Sequence, residues 1–227
     1  MGDIHTKSWI ITEVERIVDH YDAVVFVGDY ADNWNAGPGE TMSTWRNLKL
    51  LMQDNPKVHA VIGNHDYAYL HPQIAGRSSG FNPITNTLIN APENKRLKNW
   101  LLSLPPVLGL DGITFSHAGL TEEWDGDDSV MGLWNDTSPI WARPKEFGGH
   151  TTYKNITQVI GHNSSEKIWQ PQENIWCIDT FSQKPNRNII GDETVLEIVD
   201  GKKFNVLKLK EIYENNNNTT NIEDDVS

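Results

Sequence analysis

Four short apolar runs in this chain each stop on a residue able to bind a metal ion. Val24-Val25-Phe26-Val27 leads into Gly28-Asp29-Tyr30-Ala31-Asp32, and Val61-Ile62 leads into Gly63-Asn64-His65-Asp66. Thr114-Phe115 leads into Ser116-His117-Ala118-Gly119, and Val159-Ile160 into Gly161-His162-Asn163. The runs have strand length. In open α/β sheets ligands bind at the carboxyl ends of strands, so strands laid side by side would bring these groups to one spot. Asp3 and His5 add a further pair, placed by their i, i+2 spacing on one face of an extended segment.

Helical stripes separate the runs. Ile10, Val14, Ile17, Val18 and Tyr21 form one, opened by Thr6 or Ser8; Met42, Trp45, Leu48 and Leu51 form a second, stopped by Pro56; Leu97, Trp100, Leu101 and Leu104 form a third, closed by Pro105-Pro106. Later, Val195 to Val199 and Phe204 to Leu209 flank Asp200-Gly201, a two-residue hairpin signal. An early βαβ alternation followed by strands predicts a mixed α/β (α+β) architecture. Residues 1–212 read as a single domain. Residues 213–227, with Asn215 to Asn218 and Glu223-Asp224-Asp225, have too little apolar surface to fold and read as a disordered tail.

Asp, Asn and His ligands without Cys suit Mn²⁺, Fe or Zn²⁺, and exclude an iron–sulfur cluster. Six candidates exceed one tetrahedral site and match two ions sharing a carboxylate. Two ions about 3.5–4 Å apart lower the pKa of a bridging water and clamp both oxygens of an in-line displacement. Other routes close on composition. The single cysteine, Cys177, supports neither a disulfide framework nor a cysteine-dependent phosphatase, since Gln183 stands where the required arginine would be. It also points to a cytoplasmic setting. A formal net charge of −12 argues against nucleic acid as a partner, and no run approaches the ~18 apolar residues of a membrane span. His20, His59, His71 and His150 lack a strand-end setting and read as structural.

The order Gly2-Asp3-Ile4-His5, Gly28-Asp29-x-x-Asp32, Gly63-Asn64-His65-Asp66, His117-Ala118-Gly119 and Gly161-His162 resembles the calcineurin-like metallophosphoesterases over residues 2 to about 180. Within them it is most similar to the phosphoprotein-phosphatase branch and its bacterial and phage relatives. Three runs carry that: Ser116-His117-Ala118-Gly119, Ile140-Trp141-Ala142-Arg143 and Cys177-Ile178-Asp179-Thr180; Ser164 in place of a second histidine after His162 agrees.

The resemblance implies two mixed β-sheets packed as a sandwich with helices outside, and two divalent metal ions, Mn²⁺ foremost. By the family pattern Asp3 and His5 would hold the first ion, Asp29 would bridge both, and Asn64, His117 and His162 would complete the second. His65 would protonate the leaving oxygen with Asp32 holding its imidazole, and Arg143 would grip the phosphoryl group. The implied reaction is direct attack of a metal-bound hydroxide on a phosphate monoester, in a phosphoprotein or a small molecule. Alternatives are a phosphodiester or dinucleoside polyphosphate substrate, or a non-catalytic binding module. The oligomeric state stays open.

Two departures bear on this. Asn33 stands where the family has an arginine after Gly-Asp-x-x-Asp, leaving Arg77 or Arg96 to replace that clamp. Only Met1 precedes Gly2, where the family has a strand, so either the start lies upstream or the fold lacks that strand. Asp3 and His5 are then expected on a fraying terminus. The segment from about 67 to 95, directly after the Asn64-His65 loop, is expected to select the substrate. Of the tryptophans, Trp34, Trp124, Trp134 and Trp141 read as part cleft wall, part packing.

Overall fold

A computed structural model describes residues 1–34, 36–71, 73–74, 78–145, 148–153, 155–186 and 188–212. The expected tail at 213–227 and the candidate clamp Arg77 lie outside the described residues. The chain runs α1 (Ser8–Ile17), β1 (Val24–Phe26), α2 (Pro38–Asp54), β2 (Val58–Ala60), α3 (Asn64–Leu70), α4 (Pro83–Asn90), α5 (Lys95–Leu102), β3 (Val107–Leu110) and β4 (Ile113–Ser116). It continues with α6 (Val130–Leu133), β5 (Thr157–Ile160), β6 (Trp169–Gln172), β7 (Ile175–Cys177), β8 (Thr194–Val199) and β9 (Lys203–Lys208). All three helical stripes and every apolar run with a strand assignment reappear.

The fold is mixed α/β, as expected. The strands group as a parallel pair β1–β2, a five-stranded mixed sheet ordered β3-β4-β5-β7-β6, and an antiparallel hairpin β8–β9. In the large sheet β4, β5 and β7 are parallel, so their carboxyl ends share one edge. Val25, Val27 and Val61 pack against Ile113, Phe115, Val159 and Ile178, with Leu196, Ile198 and Phe204 of the hairpin closing this layer. On the other side, α1 and α2 bury Ile10, Val14, Ile17, Met42, Trp45 and Leu48 with Phe26, Tyr30 and Tyr69. Burial of these side chains, about 1.5–3 kcal/mol each, is what fixes the strand ends in space. The β8–β9 turn forms as its dipeptide predicts, with φ of 52° at Asp200 and 63° at Gly201.

The N-terminal segment differs from the expectation. Met1 alone stands beside β1: its ammonium donates to the Val25 carbonyl at 2.7 Å, and its own carbonyl accepts from Val27 N–H at 3.0 Å. His5 N–H donates to the Asp29 carbonyl and Thr6 N–H to that of Tyr30, both at 2.9 Å. Asp3 and Ile4 are fully buried. Asp3 and His5 are therefore pinned by backbone hydrogen bonds to the loop after β1, not frayed.

Candidate metal centre

All six expected ligands meet where β1, β2, β4 and β5 end. The glycines of the motifs make this approach possible. A Cβ on Gly63 would lie 2.2 Å from the Asp29 nitrogen, and one on Gly161 would lie 1.9 Å from Oδ1 of Asp3. Side chains at these positions would push the strand ends apart. The backbone is also bent to aim the ligands: His5, Asp29, Asp32 and His162 all have positive φ, between 39° and 62°. Such conformations cost about 1–3 kcal/mol each and persist where surrounding contacts impose them.

The ligand atoms form two clusters with one member in common. Asp3, His5 and Asp29 make one, and Asp29, His117 and His162 the other, with all ligand atoms of each within 4.8 Å of one another. In the second cluster Nε2 of His117 lies 2.8 Å from Oδ1 of Asn64, 3.1 Å from Nδ1 of His162 and 3.2 Å from Oδ2 of Asp29. Asn64 Oδ1 is also 3.0 Å from Nδ1 of His162. Atoms sharing one ion at about 2.0–2.2 Å are spaced about this far apart.

The histidines are held in an orientation suited to a metal ion. Nδ1 of His117 lies 2.8 Å from the Val27 carbonyl, which can only accept, so Nδ1 carries a proton and Nε2 is the nitrogen turned to the cluster. His5 is held the same way, with Nδ1 3.0 Å from the Ala31 carbonyl. Nε2 of His117 thus faces a carboxylate oxygen and a carboxamide oxygen. Backbone carbonyls fixing the far nitrogen of an imidazole are the usual outer support of a metal-binding histidine.

The charges agree. Asp3, Asp29, Asp32 and Asp179 are all at most 7% exposed. Among the described residues the ion-pair partners of Asp29 and Asp32 are His65 and His117, while the charges of Asp179 and Asp3 act on the buried Lys7. Burial, then the charges of Asp179 and Asp29, push the Asp3 carboxyl well above its ordinary range. Burial also raises Asp179, against the opposing pull of His5. For Asp29 burial is outweighed by the imidazoles of His117 and His65, which hold it well below the carboxylate range. Burial depresses His5 and, far more, His162. Carboxylates packed together beside neutral imidazoles fit a site for divalent ions.

His65 begins the turn into α3. Its N–H donates to Oδ1 of Asp29 at 3.0 Å, and its Nδ1 lies 2.9 Å from Oδ2 of Asp32 and 3.1 Å from the Ser78 hydroxyl. Burial would lower its pKa, but Asp29 and the Asp32 hydrogen bond prevail and lift it to about 9. Arg143 is exposed at the cleft rim and donates from Nη1 to Oδ1 of Asn163 at 2.7 Å. Its segment is docked on the end of β4 by Ala118 N–H to the Pro139 carbonyl and Gly119 N–H to that of Ala142.

Asp3, His5, Asp29, Asp32, Asn64, His65, Arg143 and His162 line a cleft of roughly 390 Å³, joined by Asn33, Trp34, Ser79, Gly80, Trp141 and Lys184. A larger cavity of roughly 570 Å³, walled by Val25, Phe115 and Ile198, contains none of the candidate ligands. Trp34 and Trp141 are cleft wall; Trp134 is buried, and Trp124 packs against the core. Arg96, on the exposed side of α5, does not line the cleft; among the described residues the cation that lines it besides Arg143 is Lys184.

Four groups around the site carried no assigned role in the sequence. Asp179 follows β7 as the other ligands follow their strands, and lines the cleft; its place after Ile175-Trp176-Cys177-Ile178 was the available signal. Asp66 accepts from Tyr30 N–H at 3.1 Å, Ala31 N–H at 2.9 Å and Trp45 Nε1–H at 2.8 Å, tying α3 to the Asp29 loop. Tyr69, fully buried, donates to Asp32, and Ser78 joins it in bracing the Asp32–His65 pair. No spacing rule marks Ser78 or Tyr69, because their contacts depend on how α3 packs.

Comparison with known proteins agrees with this arrangement. The chain is 29% identical over 125 residues to a symmetrical bis(5'-nucleosyl)-tetraphosphatase of Janthinobacterium sp. (strain Marseille), covering 52% of this chain and 43% of the relative. It is 30% identical over 132 residues to one of Chromobacterium violaceum, covering 55% and 43%. The chain thus spans less than half the length of the curated relatives it matches. A crystal structure of a cold-active protein-tyrosine phosphatase of a psychrophilic Shewanella superposes with a TM-score of 0.63 at 17% identity, over 91% of this chain and 78% of that one. Residues 1–206 match the calcineurin-like phosphoesterases, and the chain belongs to that family of hydrolases acting on phosphate ester bonds.

Proposed function

We propose that this protein is a metal-dependent phosphoesterase that hydrolyses phosphate monoesters at the cleft formed by the strand ends. The observation that carries the reading is the membership of Asp29 in both ligand clusters. Asp3, His5 and Asp29 would hold one divalent ion, and Asp29, Asn64, His117 and His162 the other. Two such ions, Mn²⁺ foremost, would lower the pKa of the attacking water and offset phosphoryl charge.

The remaining work falls to the chain's own side chains. The Nδ1 proton of His65 is held by Asp32, which leaves Nε2 as the nitrogen able to hold a transferable proton. As the phosphorus–oxygen bond breaks, Nε2 gives its proton to the leaving oxygen. Arg143, braced by Asn163, offers a planar fork to the phosphoryl oxygens. The lone buried Cys177 supports a reducing, cytoplasmic setting, and no helix among the described residues is long and apolar enough to cross a membrane. The domain boundary near residue 212 belongs to the same reading.

A second reading, cleavage within a dinucleoside polyphosphate, is favoured by the names of the curated relatives. One assay separates the two. Chelator-stripped protein reloaded with Mn²⁺ is offered p-nitrophenyl phosphate, bis(p-nitrophenyl) phosphate and diadenosine tetraphosphate, with Asp29→Asn as the blank. Turnover of the monoester alone supports the first reading; preference for the tetraphosphate supports the second. Turnover no greater than the blank on all three removes the enzymatic reading.

A further inference from the structure

Two neighbouring residues at the cleft rim remain without a part in the phosphoryl chemistry. Trp34 is 51% exposed, an unusual state for the largest apolar side chain. Its ring is nonetheless fixed: Nε1–H donates to the Gln183 carbonyl at 3.1 Å. That carbonyl belongs to a small turn closed by Lys184 N–H to the Asn188 carbonyl and Ile190 N–H to that of Ser182, both at 2.9 Å. With its polar atom satisfied by the protein, the indole presents only apolar ring surface, a wall suited to stacking.

Asn33, next in the chain and lining the same cleft, has a buried side-chain oxygen with no partner among the described residues. A buried acceptor left unpaired costs about 1–3 kcal/mol, so the site is built for a ligand that brings an N–H. A fixed aromatic wall beside an unsatisfied carboxamide matches a nucleobase, which has both a π-face and N–H groups on its edge. A plain phenyl ring offers only the first. The replacement of the expected arginine by Asn33 then exchanges a second phosphate clamp for a base-reading group.

We propose that Asn33 and Trp34 form a nucleobase subsite, so that the preferred phosphate esters are nucleotides, with the base against the Trp34 indole and its N–H edge on Asn33. This rests on the phosphoesterase reading for where the phosphate lies, but its test does not need turnover.

The test is equilibrium binding, by calorimetry, of AMP, ribose 5-phosphate and phenyl phosphate to the purified protein and to Trp34→Ala, Trp34→Phe and Asn33→Ala variants. AMP is expected to bind roughly tenfold more tightly than ribose 5-phosphate, the scale of one base stacked on an aromatic ring. Trp34→Ala should abolish that advantage, Trp34→Phe should keep most of it, and Asn33→Ala should reduce it severalfold. Equal affinity for AMP and ribose 5-phosphate, or an advantage that survives Trp34→Ala, overturns the subsite. Phenyl phosphate binding as tightly as AMP overturns it too, because the wall would then take any aromatic ring. Tight AMP binding without hydrolysis of any ester would leave the subsite standing and the enzymatic reading fallen.

Discussion

The phenol of Tyr69 donates a hydrogen bond to Oδ1 of Asp32, while the other oxygen of that carboxylate faces Nδ1 of His65. Tyr69 is itself placed by the Asn82 N–H, which donates to its oxygen at 2.8 Å, and by the rings of Phe81 and Trp45, centred 4.8 and 5.5 Å away. The segment expected to select the substrate therefore also braces the Asp32–His65 pair. Tyr69→Phe strips a buried carboxylate of a donor, which should cost about 1–3 kcal/mol. Its effect on turnover should grow as the leaving group becomes a worse one, because only such esters need the proton from His65. Comparing p-nitrophenyl phosphate with an alkyl phosphate reads this directly. Equal losses on both would reduce Tyr69 to a packing residue.

Asp66 reaches the metal site only through the backbone. Its carboxylate gathers the Tyr30 and Ala31 N–H groups, and so fixes the left-handed turn on which Asp29 and Asp32 sit. Burial, then the charge of Asp29, raises it to about 7 against three donors that favour the ionised form. Asp66→Ala is expected to weaken metal binding by roughly 10–100-fold, the range for outer-shell supports. A metal titration followed by turnover checks it, and unchanged affinity would mean the turn holds without Asp66.

How much of this was written in the chain differs by level. The strands and the candidate ligands at their ends were legible because each motif is local: an apolar run and then the ligand, three times of four through a glycine. Convergence of Asp3 with His162 was not local, yet it followed once the strands were parallel. The elements without a sequence signal were the helices α3, α4 and α6 and the edge strands β3 and β6. Edge strand β3 is half-exposed along Val107–Leu110, so it lacks the alternation that marks a strand with one buried face. Asp179 escaped although its setting, an apolar run followed by an acidic residue, is of the same local kind. Tyr69 and Ser78 escaped because helix packing, not spacing, brings them to Asp32 and His65.

Without metal, the stability contributed by His65 should be full below about 6.5 and lost as pH rises through about 9. Asp3, Asp179 and Asp66, raised chiefly by burial, contribute in the same sense from about pH 4 upward, Asp66 up to about 7. Over those intervals the folded protein holds protons that the unfolded chain has released. His5 and His162, depressed by burial, act oppositely below about 6.5, the Met1 ammonium acts oppositely between about 5 and 8, and Lys7 does so above about 8. A divalent ion replaces those protons. Mn²⁺ at about 100 times its Kd should add about 2.7 kcal/mol, or roughly 5–10 °C in Tm. The gain should be larger at pH 8 than at pH 6, because fewer protons need displacing. Melting curves with and without chelator at the two pH values test the sign; a metal gain that shrinks with pH would contradict the ligand set.

Arg143 gives the most direct test of where the phosphoryl group lies. Its guanidinium is exposed, so removing it leaves no buried charge behind, yet one nitrogen is fixed by Asn163, which is buried and bonded in turn to Gly161. The fork is thus held at the cleft rim by the residue next to His162. Arg143→Ala should leave Tm within about 1 °C, as surface changes do. It should lower kcat/KM for p-nitrophenyl phosphate by roughly tenfold to a hundredfold, the worth of one charge-assisted pair of 1.5–3 kcal/mol. Arg143→Lys should recover little, because an ammonium cannot span two phosphoryl oxygens while holding Asn163. Asn163→Ala should cost less than Arg143→Ala, since it loosens the fork without deleting it. Full activity in Arg143→Ala would move the phosphate clamp elsewhere on the rim, with Lys184 the next cation to test.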